Sequence, residues 1–184
     1  MTTILLAAGL SQRMGRNKLL LPFRGKTIIE STLEPVLKIS DRTIVITGHE
    51  HDRLLEILKK YDVQIIHNTD YIKGQKESSI LGIKNVINDD FAILPADLPL
   101  LETADLGGVF SLLEQYETSR AVHDNTPGHP VAYRKELKSE LLHYNGSMKE
   151  FLHGKTNGCH HASIGSIFDI DTQERYETLL SYYQ

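Results

Sequence analysis

The sequence predicts a three-layer α/β/α sandwich around a mainly parallel, mixed β-sheet, in a single domain. Short aliphatic runs alternate with segments of helical length along most of the chain. Polar and apolar residues do not alternate within these runs, which is typical of strands buried on both faces. Strands that alternate with helices imply βαβ units with right-handed crossovers. Ligands of such sheets bind at the carboxyl ends of the strands.

The strands are predicted from the aliphatic runs in chain order. Strands buried on both faces are expected at residues 4–7, 43–47, 63–67 and 91–95. The pattern loosens after Ser119, where two short strands around a turn are expected at residues 121–123 and 130–133.

The helices are predicted from apolar residues that recur every three or four positions. Such faces are formed by Ile28, Ile29, Leu33, Val36 and Leu37, by Leu54, Leu55 and Leu58, and by Tyr176, Leu179, Leu180 and Tyr183. Further helices are expected at residues 77–87, 104–116, 135–144 and 147–153. Thr103 is the expected N-cap of the helix at 104–116. Asp171, with Glu174 as a capping-box partner, is the expected N-cap of the last helix.

The composition favours a cytoplasmic protein that acts on small molecules. The formal net charge of −4 argues against a nucleic-acid partner. A single cysteine, Cys159, cannot form an internal disulfide, which fits a reducing compartment. No apolar run approaches the ~20 residues of a membrane span. The apolar opening lacks a basic segment before it, so we interpret it as a strand rather than a signal peptide.

The segment at residues 6–18 predicts a phosphate-binding loop directly after the first strand. Small residues and two glycines let backbone N–H groups approach an anion, while Arg13 and Lys18 can neutralise a polyphosphate. The segment is not a P-loop, because Gly15 comes one residue too late for that spacing and Lys-Ser/Thr is missing. It does not match the dinucleotide fingerprint either, which disfavours a dehydrogenase. The alternative is a solvated turn between a strand and a helix.

Two carboxylates are predicted magnesium ligands. Asp97 lies between two prolines, just after an aliphatic run. This position places it at the same edge of the sheet as the loop. Mg²⁺ prefers one or two carboxylates together with phosphate oxygens and water. Asp169 is the preferred second ligand, because Asp171 is largely explained as a helix cap. The alternative for Asp97 is a carboxylate that bonds the backbone of its own turn.

Five ordered motifs resemble one known family, the molybdopterin-type (MobA-like) nucleotidyltransferases, and in particular their molybdenum cofactor cytidylyltransferase branch. The signature loop runs as Leu6-Ala7-Ala8-Gly9-x-Ser11-x-Arg13-Met14-Gly15-x-x-Lys18, followed by Gly25-Lys26. The others are a segment with Asn68, Gly74, Ser78 and Gly82, the turn Pro95-Ala96-Asp97-Leu98-Pro99, the loop Gly128-His129-Pro130, and a closing Asp169-Ile170-Asp171-Thr172. Glu77 and the stretch Cys159-His160-His161 depart from the family pattern.

This resemblance implies a Rossmann-like fold of the nucleotide-diphospho-sugar transferase type, with Mg²⁺ as cofactor. It implies transfer of CMP from CTP to the terminal phosphate of molybdopterin, with release of pyrophosphate. Ala8 resembles the cytidylyl-transferring type, since guanylyl-transferring relatives have glycine there. A molybdoenzyme or its chaperone is a candidate protein partner. Residues 1–100 would bind the nucleotide and residues 101–184 the acceptor.

The resemblance also assigns roles to individual residues. The implied catalytic residues are Arg13, Lys18 and Asp97, and the implied metal ligands are Asp97 and Asp169. The implied binding residues are Leu6, Ala7, Ala8, Gly9, Ser11, Arg13, Lys18, Asn68, Ser78, Gly82 and His129.

Several alternatives stay open at this point. The acceptor could instead be a sugar phosphate or an isoprenoid precursor, the nucleotide could be GTP, and the chain could be a cofactor-binding or delivery protein without turnover. Ser78 could simply start a helix, and His129 could be a turn residue. For Cys159 and its two histidine neighbours we favour a surface location, because adjacent residues lack zinc-ligand spacing.

Overall fold

A seven-stranded mixed sheet forms the middle layer of the computed structural model, which describes residues 1–183. Its order is β5-β4-β1-β6-β8-β7-β9, while β2 and β3 pair separately. Only β8 runs antiparallel to its neighbours in the large sheet. The strands are β1 (Thr2–Ala7), β2 (Pro22–Phe23), β3 (Lys26–Thr27), β4 (Arg42–Thr47), β5 (Gln64–His67), β6 (Phe91–Pro95), β7 (Thr118–His123), β8 (Thr126–Tyr133) and β9 (Asn157–His161).

The described residues form seven α-helices, which cover the two faces of this sheet and complete the predicted sandwich. Helices α1, α2, α4 and α7 contribute to the core on one face, and α3, α5 and α6 to the core on the other. The helices are α1 (Ile28–Leu37), α2 (His51–Leu58), α3 (Gln75–Lys84), α4 (Thr103–Ser111), α5 (Lys138–His143), α6 (Met148–His153) and α7 (Gln173–Tyr183). In the described part of the chain, none of them has the length and apolarity to cross a membrane.

The central strand β1 shows why the aliphatic runs predict this architecture. Leu5 faces the α1 side and pairs with Val45 and Leu94. Ile4 faces the α3 side and pairs with Ile44 and Ile93. Because successive side chains point to opposite faces, a strand with helices on both sides must be apolar throughout. Each such fully buried aliphatic side chain contributes about 1.5–3 kcal/mol to folding.

Helices α3 and α4 differ at their ends from the prediction. The positive φ of 112° at Gly74 turns the chain into α3, which therefore starts two residues early and ends at Lys84 rather than at residue 87. Thr103 is the first residue of α4 and not its N-cap, so that prediction was wrong. The cap is Glu102, whose backbone N–H donates to the Asp105 carboxylate at 3.1 Å. Helix α4 ends at Ser111, and a 3₁₀ turn, Leu112–Glu114, follows it.

The sequence did not predict two elements, each for a physical reason. Strand β9 lies at the sheet edge beside β7, so its largely polar residues meet solvent and form no aliphatic run. The hairpin β2–β3 is only two residues long on each side. Its turn has positive φ at both Arg24 (47°) and Gly25 (75°), as a tight hairpin turn requires.

The start of α7 also differs from the prediction. The helix begins at Gln173, and the hydroxyl of Thr172 accepts a hydrogen bond from the backbone N–H of Arg175 at 3.2 Å. Thr172 therefore caps the helix, and the prediction of Asp171 as its N-cap was wrong. The Asp171 carboxylate points elsewhere and accepts hydrogen bonds from two side chains of the loop after β1.

Candidate active site

A cleft of about 600 Å³ opens at the carboxyl ends of β1 and β6. Parallel sheets place their ligands at this edge. Both predicted parts of the chain, residues 1–100 and 101–184, contribute to its wall; the split itself stays a prediction. The cleft brings together ten of the predicted site residues: Leu6, Ala8, Gly9, Ser11, Arg13, Lys18, Ser78, Asp97, His129 and Asp169.

The loop after β1 holds its shape through its own side chains. Ser11, with φ of 51°, accepts a hydrogen bond on its hydroxyl from the backbone N–H of Lys18 at 3.2 Å. Asn17 accepts one from the backbone N–H of Leu19 at 3.1 Å. A Cβ atom added to Gly9 would meet nothing within 4 Å, so the backbone there is open to an approaching group. The loop is therefore a preformed concave turn with its cations directed into the cleft.

Lys18 lies between two carboxylates that come from distant parts of the chain. Its ammonium group forms ion pairs with Asp97 and with Asp171, the latter at 2.5 Å. Arg13 also contacts Asp171 at 2.5 Å through Nη2. Burial alone would lower the pKa of Lys18, but the two carboxylates raise it overall. The lysine therefore carries a positive charge at neutral pH.

Asp97 stands at the end of β6 and is tied to the segment before α7. The backbone N–H of Ile170 donates to the backbone carbonyl of Asp97 at 3.1 Å. This bond brings Asp169 and Asp171 to the edge of the sheet where Asp97 lies. The Asp97 side chain is only 8% exposed, and its Oδ1 is buried without a hydrogen-bond partner among the described residues. A buried carboxylate oxygen without a partner is costly unless a cation or donor binds it.

Asp169 experiences an excess of negative charge. Burial raises the pKa of its carboxyl, and the neighbouring Asp171 and Asp97 raise it further. Arg175 opposes this with a contact of 3.3 Å. Among residues 1–183, no three His, Cys, Asp or Glu side chains are placed to hold a metal by themselves. Two carboxylates that share a cation with phosphate oxygens are nevertheless the arrangement that Mg²⁺ prefers.

Three predicted binding residues do not line the cleft. Asn68 lies behind its wall, where its side-chain amide donates to the Ser78 hydroxyl at 2.9 Å and so orients that group. Ala7 is buried at the end of β1. A Cβ atom on Gly82 would lie 2.5 Å from Cγ2 of Ile4, so this glycine lets α3 pack closely on β1. The structure places Gly82 in the core and not in a binding wall.

His129 lies in β8 and lines the cleft. Its ring Nδ1 is buried and has no hydrogen-bond partner within residues 1–183. Burial, together with the positive charge of Arg120, lowers the pKa of His129 to about 4. The imidazole is therefore neutral at physiological pH and can offer one donor and one acceptor.

The cleft also contains residues that the sequence did not single out. Asp171 had a sequence signal, but the signal was assigned to helix capping. Tyr71 and Gln75 lie around the start of α3, and Thr126 and Ser166 face them from the other side. Ser166 belongs to a short 3₁₀ turn with no motif, so only the folded chain reveals its position. Cys159 is exposed and lies outside the cleft.

The model of the family described as "MobA-like NTP transferase domain" matches residues 3–159. The chain belongs to this family. Among its MobA-like relatives, the molybdenum cofactor cytidylyltransferase of Escherichia coli is 28% identical over 98% of this chain and 95% of its own length. A probable molybdenum cofactor guanylyltransferase of Natranaerobius thermophilus is 27% identical, again over 98% and 95%.

The solved structures extend the agreement to the fold. A nucleotidyl transferase from Methanothermobacter superimposes with a TM-score of 0.83 over 98% of this chain and 96% of its own, at 24% identity. The family match confirms the MobA-like resemblance drawn from the five motifs, and the superposition confirms the predicted fold. The chain is a nucleotidyltransferase of the MobA-like type.

Proposed function

We propose that this nucleotidyltransferase transfers CMP from CTP to the terminal phosphate of molybdopterin and releases pyrophosphate. The observation that carries the proposal is the meeting of Arg13, Lys18, Asp97 and Asp169 around one cleft. Residues 153 positions apart are in contact there, as Lys18 and Asp171 illustrate. The relative from Escherichia coli, a molybdenum cofactor cytidylyltransferase, supports the choice of reaction.

The triphosphate binds along the loop after β1 in this proposal. The open backbone at Ala8 and Gly9 supplies N–H groups, and Arg13 and Lys18 supply positive charge. Arg offers a planar fork to phosphate oxygens and Lys a point charge. Ser78, oriented by Asn68, is in reach of the nucleoside half. The phosphates compete with Asp171 for the same two cations, so Asp171 sets how tightly the loop binds an anion.

Asp97 and Asp169 would hold Mg²⁺. The unpartnered Oδ1 of Asp97 and the raised pKa of Asp169 both support this assignment, because each would be relieved by a bound cation. When bound, the ion supplies Lewis-acid polarisation of the phosphate oxygens next to the bond that breaks.

The chain's own residues would act by positioning and by charge neutralisation. An oxygen of the acceptor phosphate attacks the α-phosphorus of CTP in line, forming a new P–O bond. The bond from the α-phosphorus to the bridging oxygen breaks, and its electron pair leaves on pyrophosphate. The attacking phosphate is already anionic, so the step needs no general base. Arg13 and Lys18 neutralise the charge that develops on the leaving group.

One experiment tests the reaction class and the base together. The purified protein would receive each of the four NTPs with Mg²⁺ and molybdopterin, and the product would be identified by mass. We expect a cytidylylated product and one pyrophosphate released for each product formed. The guanylyltransferase relative makes GTP the alternative nucleotide. Preference for GTP would overturn the assignment of the base and leave the reaction class intact. Binding of CTP without pyrophosphate release from any NTP would overturn the transfer reaction.

A further inference from the structure

A second cavity of about 370 Å³ adjoins the cleft on the far side of His129. Gln75 and His129 line both spaces, so the two are adjacent. Cavities of this size accommodate small organic molecules. The second cavity is therefore a neighbour of the cleft with room for part of a small molecule.

The wall of this cavity is apolar and partly aromatic. Ile93, Val131, Tyr133 and Met148 line it, and the Tyr133 ring stacks on Phe91 with centroids 5.3 Å apart. A methionine side chain adapts its shape to a flat ring, and an aromatic side chain in the wall favours stacking with such a ring. The cavity is thus suited to a planar heterocycle rather than to a hydrated sugar.

The turn over the cavity is held in place by a lysine. Lys76 donates to the backbone carbonyls of Tyr144 and Gly146 at 3.1 and 2.9 Å. This places Ser147 and Met148 at the cavity. Because the fold itself secures the turn, the cavity is a built feature of the molecule.

Two buried nitrogens in this region have no hydrogen-bond partner in the described part of the chain. One is Nδ1 of His129, which lines the cavity, and the other is Nε of Arg120, which is close to His129 but is not itself a lining residue. Arg120 pairs with Val131 across β7 and β8, so their side chains share one face of the sheet. The guanidinium donates only one long bond, of 3.4 Å, to the backbone carbonyl of Gly128. Within residues 1–183 it forms no ion pair.

We propose that the second cavity binds the body of the acceptor, a planar heteroaromatic ring, and that Arg120 binds an anionic group on that body. The acceptor's terminal phosphate then passes His129 into the cleft and meets the nucleotide there. The inference rests on the proposed function, since it assigns a place to the pterin of molybdopterin. Arg120 and Val131 are specificity-determining residues that lie outside the cleft and leave nucleotide binding unaffected.

The test measures binding of a fluorescent pterin without any turnover. The probe is neopterin monophosphate, titrated into the full chain with a non-hydrolysable CTP analogue and Mg²⁺ present. The variants are Val131→Phe, which fills the cavity, and Arg120→Met, which removes the charge at nearly constant volume. Arg134→Met is the matched control, because Arg134 is half-buried just beyond β8 and bonds only backbone carbonyls.

We expect wild type and the control to bind the probe alike, and Arg120→Met and Val131→Phe to bind it about tenfold more weakly. The affinity for the CTP analogue should stay the same in all four proteins. Competition between the probe and the analogue would overturn the inference, because the ring would then occupy the nucleotide cleft. Failure of wild type to bind the probe, or equal binding by Arg120→Met, would also overturn it. Release of pyrophosphate with molybdopterin is scored separately, so an inactive wild type that binds the probe contradicts only the proposed reaction.

Discussion

Replacement of Asp97 by asparagine should abolish most of the activity while the fold persists. The substitution keeps the shape of the side chain and removes the charge that pairs with Lys18. Lys18 keeps its second carboxylate, Asp171, at 2.5 Å, so no buried charge is left unpaired. Loss of one preorganised charge contact costs about 2.7–4 kcal/mol of transition-state stabilisation, which corresponds to a fall in kcat of about 100- to 1,000-fold.

The assay is coupled pyrophosphate release with CTP, Mg²⁺ and molybdopterin, together with thermal unfolding followed by circular dichroism. Asp105→Asn provides the control, because Asp105 is an equally buried carboxylate that lies outside the cleft. It accepts hydrogen bonds from Ser163 and from the backbone N–H of Glu102, the cap of α4, so its replacement should lower Tm and leave kcat unchanged. Activity within a few-fold of wild type in Asp97→Asn would refute the assignment of Asp97 to the chemistry.

Three further predictions concern residues around the cleft. Lys18→Met should reduce kcat and also lower Tm, since it leaves Asp97 buried without its cation. A wild-type kcat or a wild-type Tm would contradict a role of Lys18 in both catalysis and stability. Gly82→Ala should destabilise the protein by about 1–3 kcal/mol, as judged by urea unfolding, because the new methyl group meets Ile4, while the KM for CTP stays constant. Asp169→Asn should raise Tm at pH 7 in EDTA and lower activity with Mg²⁺. Its pKa is raised in the fold, so the ionised carboxylate costs stability above that pKa, and the gain should vanish at acid pH where both states are protonated. A Tm difference that is independent of pH would contradict this account of Asp169.

The sequence predicted the central strands because their position imposes a pattern on them. Strands β1, β4 and β6 are covered by helices on both faces, so they are aliphatic throughout and stand out. Strand β9 has only one neighbour and a partly exposed surface, and its residues are under no such constraint. The prediction succeeds where a strand carries an aliphatic run, as the other edge strand β5 also does, and fails at β9, whose largely polar residues form no such run.

The candidate site was predictable in its motifs but not in its contacts. The loop with Arg13 and Lys18 carries a local signal, whereas its meeting with Asp171 depends on how the whole sheet is assembled. Asp171 was predicted to be a helix N-cap because Glu174 follows three residues later. The same local pattern is also compatible with its observed role as the partner of Arg13 and Lys18. Gly82 illustrates the reverse case, since a glycine within a motif serves close packing of α3 on β1.

The hydrogen bond between Ile170 and Asp97 has a consequence for how the protein matures during synthesis. A nascent chain that has left the ribosome as far as β9 already contains every strand of the sheet and the loop cations. It still lacks Asp169 and Asp171, which arrive with the segment just ahead of α7. Competence for catalysis would therefore be acquired at a late step, when this segment docks on a sheet that is already assembled.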